Sequence, residues 1–189
     1  MPRSIVERLD WREVFPKEQP IEVDLGCGDG SFLVQIAKAH PDRNFLGVER
    51  LKGRALKTAR KIERAGLTNA RVLRIESSYA VEWLFPPSSV AAVHILFPDP
   101  WPKRRHWSRR LMQVGFIAAL QKCLVPGGEV HFTTDHKDYF EEVPPRFEGD
   151  SWRRVDPVTR VGEEWRTDFE LEFEKEQRAI WRARWMKAR

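Results

Sequence analysis

A chain of 189 residues, 41% of them hydrophobic, is long enough to bury one sizeable core, and 33 Lys and Arg against 28 Asp and Glu give a formal charge of +5 that favours a polyanionic partner. Its two cysteines, Cys27 and Cys123, lie far apart with no Cys or His at metal-ligand spacing, which excludes a disulfide framework, argues against a zinc site and fits a reducing cytoplasm. No apolar run approaches membrane-spanning length and no early segment has the make-up of a secretory leader, so the chain reads as a soluble cytoplasmic protein.

Residues 1–20 are polar, with Pro16 and Pro20 bracketing a charged segment, and read as a short arm or lead-in helix ahead of a single domain over 21–189. Ile21 to Leu25 predicts a strand, Gly26-Cys27-Gly28-Asp29-Gly30 a tight turn, and Ser31 the N-cap of a helix whose apolar Phe32, Leu33, Ile36 and Ala37 fall at helical spacing. Asn44 to Val48 predicts a second strand ending in Glu49, Leu51 to Ala65 a helix stopped by Gly66, Arg71 to Ile75 a third strand, and Ala80 to Phe85 a short helix cut off by Pro86-Pro87. Val90 to Leu96 predicts a buried strand. Met112 to Leu124 predicts an amphipathic helix ended by Pro126-Gly127-Gly128, and Glu129 to Thr133 the next strand. Asp138 to Val143 predicts a further helix and Phe147 to Pro157 one irregular strand, while the period of two over Ala179 to Trp185 suits a closing strand. Strands alternating with helices imply a mostly parallel sheet covered by helices on both faces.

Three features carry chemistry. A glycine turn between strand and helix lets a ligand approach the backbone, and an acid closing the next strand can accept from ribose hydroxyls; Gly26, Gly28, Gly30 and Glu49 meet both conditions. The glycines are spaced G-x-G-x-G rather than G-x-G-x-x-G, and Asp24 just before them would repel a pyrophosphate but accept from an ammonium group, which favours S-adenosylmethionine over a dinucleotide. Phe97-Pro98-Asp99-Pro100-Trp101-Pro102 places a carboxylate on a proline-stiffened shelf at a strand's carboxyl end, and Lys103, Arg104, Arg105, Arg109 and Arg110 follow as a cluster suited to a polyanion. Asp135, after the next strand, lies on the same rim. His106, beside so many cations, reads as structural or phosphate-contacting rather than as an acid-base group. Trp101 either stacks on a base or braces the loop.

With those residues in view, Val23 to Gly30 with Gly47-Val48-Glu49 resembles the cofactor motifs of class I S-adenosylmethionine methyltransferases. Phe97 to Leu111, Thr133-Thr134-Asp135 and Thr167-Asp168-Phe169-Glu170 resemble the bacterial tRNA (guanine-N7)-methyltransferases of the TrmB type, in order from about Ile21 to the C-terminus. The resemblance implies a Rossmann-like fold with a mostly parallel seven-stranded sheet and an antiparallel C-terminal strand. It implies an enzyme that methylates N7 of the variable-loop guanine of tRNA, working as a monomer or homodimer. It implies cofactor contacts from Asp24, Gly26, Gly28, Gly30, Glu49, the Glu76-Ser77-Ser78 turn and Asp99. Contacts to the target nucleotide would come from Lys103, Asp135, Thr167, Asp168, Phe169 and Glu170. Where many such enzymes carry Asp-Ala after the third strand, this chain has Glu76-Ser77-Ser78-Tyr79, and its N-terminal arm is short.

Guanine N7 has an in-plane lone pair, so methyl transfer to it needs no general base, only alignment and stabilisation of the cationic purine. Asp99 and Asp135 suit that task by accepting from the guanine N1 and N2 edge, with Lys103, Arg105 and Arg109 on flanking phosphates. The rival readings are a methyltransferase for another RNA or a small molecule, a non-catalytic RNA-binding protein that keeps the fold, and a dinucleotide oxidoreductase.

Overall fold

Five parallel strands form where apolar runs stand between turn residues: β1 (Ile21–Leu25), β2 (Asn44–Val48), β3 (Ala70–Leu73), β4 (Val90–Leu96) and β5 (Leu124–Thr134). β7 (Trp181–Lys187) runs antiparallel to them, and β6 (Trp152–Arg154), antiparallel to β7 and so parallel to the rest, completes one sheet in the order β3-β2-β1-β4-β5-β7-β6. This is a computed structural model and describes residues 7–155 and 167–188; the first six residues of the arm and the last two of the stretch read as an irregular strand lie outside that range. The helices are α1 (Trp11–Val14), α2 (Ser31–Ala39), α3 (Lys52–Arg64), α4 (Ser77–Tyr79), which runs into a π-helical turn over Ala80–Leu84, α5 (Val114–Cys123), α6 (Lys137–Glu142) and α7 (Asp168–Lys175).

The strand order reverses between β1 and β4, so their carboxyl ends diverge into the crevice where open α/β sheets hold ligands. One sheet face, with Val23, Val93, Val130 and Trp185, packs on the main core around Leu84, Phe85, Phe116 and Tyr139. The other carries a smaller core of Phe32, Leu33, Ile36, Phe45 and Ile62 beneath α2 and α3. Residues 7–15 lie against the main core, since Leu9 and Phe15 are buried, the Leu9 amide donates to the Leu84 carbonyl at 2.8 Å and Trp11 meets the Phe85 ring at 5.7 Å.

Between the cores, the sheet interior is polar on the α2 side. His94 Nε2 on β4 is hydrogen-bonded to Glu22 on β1 at 2.8 Å, His131 on β5 pairs with Glu129 at 2.9 Å, the two imidazoles stack 4.9 Å apart, and Phe32 of α2 closes edge-on over His94 at 5.3 Å. Burial pushes the Glu22 carboxyl up, but the His94 bond and the Arg43 guanidinium outweigh it and hold the pKa at about 2.

Three details differ from the sequence reading. Ser31 does not cap α2: Gly30 occupies the cap position with φ +82, and Asp29 takes over by accepting from the Ser31 amide at 3.1 Å and the Ser31 hydroxyl at 2.9 Å. β5 begins at Leu124, ahead of Pro126-Gly127-Gly128, because three residues on β4 (Val90 to Ala92) face six on β5 (Leu124 to Glu129) and the glycines accommodate that bulge. Of the stretch read as one irregular strand, only Trp152–Arg154 pair, as a short β6 along the outer edge of β7, while Phe147 closes a 3-10 turn.

Candidate active site

The glycine turn sits at the β1 end of the crevice. Gly26, Gly28 and Gly30 all have positive φ, at +80, +58 and +82, and a Cβ on Gly30 would lie 2.6 Å from Thr58 Cγ2 on α3. Thr58 in turn donates its hydroxyl to the Gly28 carbonyl at 3.0 Å, so α3 braces the turn. Glu49, 5% exposed, closes the turn from β2: one oxygen accepts from the Gly28 amide at 3.2 Å and the other from the Leu51 amide at 2.7 Å. Asp24 lies beneath the turn at 3% exposure. Burial pushes its pKa up to about 7, opposed by His94 and reinforced by Glu49.

Asp24 and Glu49 set two buried carboxylates beside the backbone amides of an open glycine turn, and the Lys61 ammonium at that turn is engaged by Asp29, a lining that disfavours a pyrophosphate and suits a cationic aminoacyl sulfonium. S-adenosylmethionine fits these residues: Asp24 and Glu49 supply the negative field, and Gly26, beside which a Cβ would meet nothing within 4 Å, leaves the backbone open to approach. Glu76, at the end of β3 on the same rim, is an exposed N-cap for α4 that accepts from the Tyr79 amide at 2.9 Å and the Ser78 hydroxyl at 2.6 Å. Burial raises its pKa, but these bonds prevail and hold it below the usual carboxylate range. Ser77 and Ser78 therefore form the first helical turn.

Asp99 follows β4 by three residues and is exposed, with no hydrogen-bond partner among the described residues. Both ends of its loop are held in the left-handed region by non-glycine residues, Phe97 at φ +51 and Trp101 at φ +44. The Phe97 amide donates to the Thr133 carbonyl at 2.8 Å, tying the loop's start to the end of β5. At the other end the Trp101 ring meets His106 edge-on at 5.8 Å and lies under the Arg109 guanidinium at 5.0 Å, so Trp101 and His106 brace the loop. Lys103, Arg104, Arg105 and Arg109 are exposed around a 3-10 turn, as the basic cluster requires.

Arg110 does not belong with them. It is 1% exposed, donates from Nε to the Pro100 carbonyl at 2.8 Å, pairs with Glu142 on α6 and is sandwiched between Trp107 at 4.3 Å and Tyr139 at 4.8 Å. This cation holds the loop and is unavailable to a polyanion.

Asp135 leaves β5 beside Asp99, because β4 and β5 pair in register as far as Leu96 and Thr133. Its Oδ2 is ion-paired with Arg178, whose guanidinium lies 4.0 Å over Phe173 of α7. Phe173 meets Phe97 edge-on at 5.3 Å, so α7 rests on the loop that carries Asp99. Thr167 caps α7 by accepting from the Glu170 amide at 3.0 Å, and Phe169 is 45% exposed and stacks on Phe173 at 6.1 Å. Glu170 is only 5% exposed and pairs with Arg182 on β7, which makes it a bracket between α7 and the sheet. The side chain of Asp168 lies outside the described residues.

Asp24, Glu49, Asp99 and Asp135 thus share one rim. The sequence reading missed Thr58, Arg178 and Arg182, and named Gly47 only as part of the Gly47-Val48-Glu49 motif, without a packing role. Gly47 carried a signal: a glycine inside a strand marks close approach, and a Cβ there would lie 2.7 Å from both Cys27 Sγ and Leu33 Cδ2. The two arginines carried none, since their partners are fixed only by the fold.

A family model described as a putative methyltransferase matches residues 18–183. The tRNA (guanine-N(7)-)-methyltransferase of Syntrophotalea carbinolica is 41% identical over 74% of this chain and 60% of that protein. The Thermotoga maritima protein of the same name is 36% identical over 88% of this chain and 52% of its own length. The chain therefore spans between half and two thirds of the length of these curated relatives. For the Levilactobacillus brevis protein of that name the figures are 33% identity over 88% of this chain and 80% of the relative. Among solved structures, the 16S rRNA methyltransferase KamB superposes with a TM-score of 0.69 at 18% identity, covering 95% of this chain and 93% of that one, a likeness of fold. With the glycine turn, the rim acids and the Pro-Asp-Pro-Trp-Pro loop in place, the chain belongs to the tRNA (guanine-N(7)-)-methyltransferase family.

Proposed function

We propose that this protein transfers a methyl group from S-adenosylmethionine to N7 of the variable-loop guanine of tRNA. The observation that carries this reading is the placement of Asp99 and Asp135 on adjacent strand ends, next to the glycine turn and flanked by an exposed basic turn. It further supports a cytoplasmic setting, where tRNA is; no helix among the described residues is long and apolar enough to cross a membrane.

When bound, the cofactor supplies an electrophilic methyl on a sulfonium. The protein's own task is positional. Asp24 and Glu49 hold the cationic ligand over the glycine turn, while Asp99 and Asp135 accept from the guanine N1 and N2 edge. That edge becomes a stronger donor as positive charge develops on the purine, so the carboxylates favour the transition state over the ground state. N7 attacks through its own lone pair and no residue removes a proton from it. Arg178 pins Asp135 Oδ2 and leaves Oδ1 for the base. Lys103, Arg105 and Arg109 take flanking phosphates, and α7, through Thr167 and the exposed Phe169, completes the wall of the base pocket.

The test is to incubate the protein with total tRNA and methyl-labelled cofactor and map the modified nucleotide. Label on N7 of the variable-loop guanine is expected; label elsewhere, or none, overturns the reading.

A further inference from the structure

We propose that the outer face of α3 is an RNA-docking surface that holds tRNA phosphates on the far side of the glycine turn from the Lys103 to Arg109 turn. The identity of the RNA rests on the function proposed above; the surface itself rests on α3.

Residues 50–64 contain Arg50, Lys52, Arg54, Lys57, Arg60, Lys61 and Arg64 against the single acid Glu63. The inner face of α3 meets the needs of the fold, with Ala55, Thr58 and Ile62 buried and Thr58 bonded to the glycine turn. The outer face does not serve it. Lys52, Arg54, Lys57, Arg60 and Arg64 are exposed, and of the cations on α3 only Lys61 has an acidic partner, Asp29, among the described residues.

Two features of this face cost helix stability. The first turn of α3 carries Lys52 and Arg54 and no acid, which sets cations at the positive end of the helix dipole. Arg54 and Lys57, and Lys57 and Arg60, are three residues apart, and Arg60 and Arg64 four, so like charges adjoin along the face. A polyanion relieves both penalties at once. The face also starts at the rim: α3 begins directly after Glu49, and two strand spacings of ~4.8 Å separate the end of β2 from the end of β4. An RNA strand delivering a base to Asp99 therefore has cations on both flanks of the cofactor turn. The apolar share of the face, Leu51 and Leu56, lacks the aromatic and aliphatic stripe of a bilayer-inserting helix, which selects RNA as the occupant.

The test uses the full chain with K52Q/R54Q and K57Q/R60Q, singly and combined, none of which touches the rim acids. Binding of tRNA is measured by filter retention from about 0.05 to 0.2 M salt, alongside thermal melting and calorimetric cofactor binding. The combined variant is expected to bind tRNA roughly 10- to 100-fold more weakly at low salt, with the salt slope smaller by about 2–4. Its cofactor affinity stays at the wild-type value and its melting temperature is equal or higher, because repulsion on the helix is removed. Wild-type tRNA affinity and slope in a variant that melts normally overturn the proposal, as does loss of binding to phosphatidylserine vesicles without loss of tRNA binding. If the wild type methylates tRNA and the variants bind it normally, the surface fails and the function stands; if the variants lose RNA binding but the wild type methylates no guanine N7, the surface stands and the function fails.

Discussion

Arg110 Nε donates to the Pro100 carbonyl at 2.8 Å, so a buried side chain from the far end of the basic loop fixes the peptide next to Asp99. The carboxylate itself is exposed and without a hydrogen-bond partner among the described residues, and its precision comes from this bond, from the ring contacts of Trp101 and Phe97, and from three prolines. The loop is built to hold an unengaged acceptor still.

Arg110→Met should therefore cost about 3–5 kcal/mol in urea unfolding, since it leaves Glu142 with one cation fewer in a half-buried site. Arg110→Lys keeps the charge but loses the planar fork, and should lower kcat at least tenfold while the salt slope of tRNA binding stays at the wild-type value. Lys103→Ala, on the exposed turn, should do the reverse: weaker binding, a slope smaller by about 0.9 and near-normal kcat. Filter binding over a salt series separates the two.

For Asp99→Ala the expected result is a loss of roughly 10²–10³ in kcat with tRNA and cofactor binding retained. An exposed side chain with no partner among the described residues contributes little to folding, so the unfolding free energy should move by no more than about 0.5 kcal/mol. Single-turnover assays with saturating tRNA and cofactor give the first number, and chemical denaturation the second.

Asp24 links pH to both stability and binding. Its pKa is raised to about 7 by burial, so ionisation weakens the free protein: stability is full below the ordinary carboxylate value near 3.8 and is progressively lost as pH rises through about 7. A cationic ligand selects the ionised form, so cofactor affinity should increase between about pH 6 and 8. Asp24→Asn should raise the melting temperature of the free protein at pH 8, abolish calorimetric cofactor binding and remove the pH dependence.

The glycine turn offers a steric test. Gly30→Ala puts a Cβ against Thr58 in a left-handed backbone, and Gly47→Ala puts one between Cys27 and Leu33, so each should destabilise the fold by about 1–3 kcal/mol. A double variant Gly30→Ala with Thr58→Ser, which removes the nearest methyl, should recover part of the first loss in denaturant titrations.

The succession of strands along the chain, the glycine turn and the rim position of Asp99 were legible in the sequence because each follows from local patterning: a strand of period or run, a turn residue, a polar residue just past the last apolar one. Arg110 was misread as a free cation because its burial depends on Tyr139 and Glu142, contributed by a helix some thirty residues further on. Glu170 and Asp135 likewise look like open acceptors until Arg182 on β7 and Arg178, between α7 and β7, come to them. The start of β5 escaped notice since Pro126-Gly127-Gly128 looks like a stop signal, and only the pairing with β4 turns it into a bulge. Long-range pairing of charge has no periodicity to announce it.

The charged seam through the sheet interior has a bearing on the catalytic rim. Sliding β4 by one position against β1 would exchange His94 with Val93, driving an imidazole into the main core and stripping Glu22 of its His94 bond. Because misalignment is penalised so far below the surface, the offset between Asp24 and Asp99 is set at the depth of Glu22 and His94, and whatever bends the outer loops, donor and acceptor ends of the crevice keep a common origin.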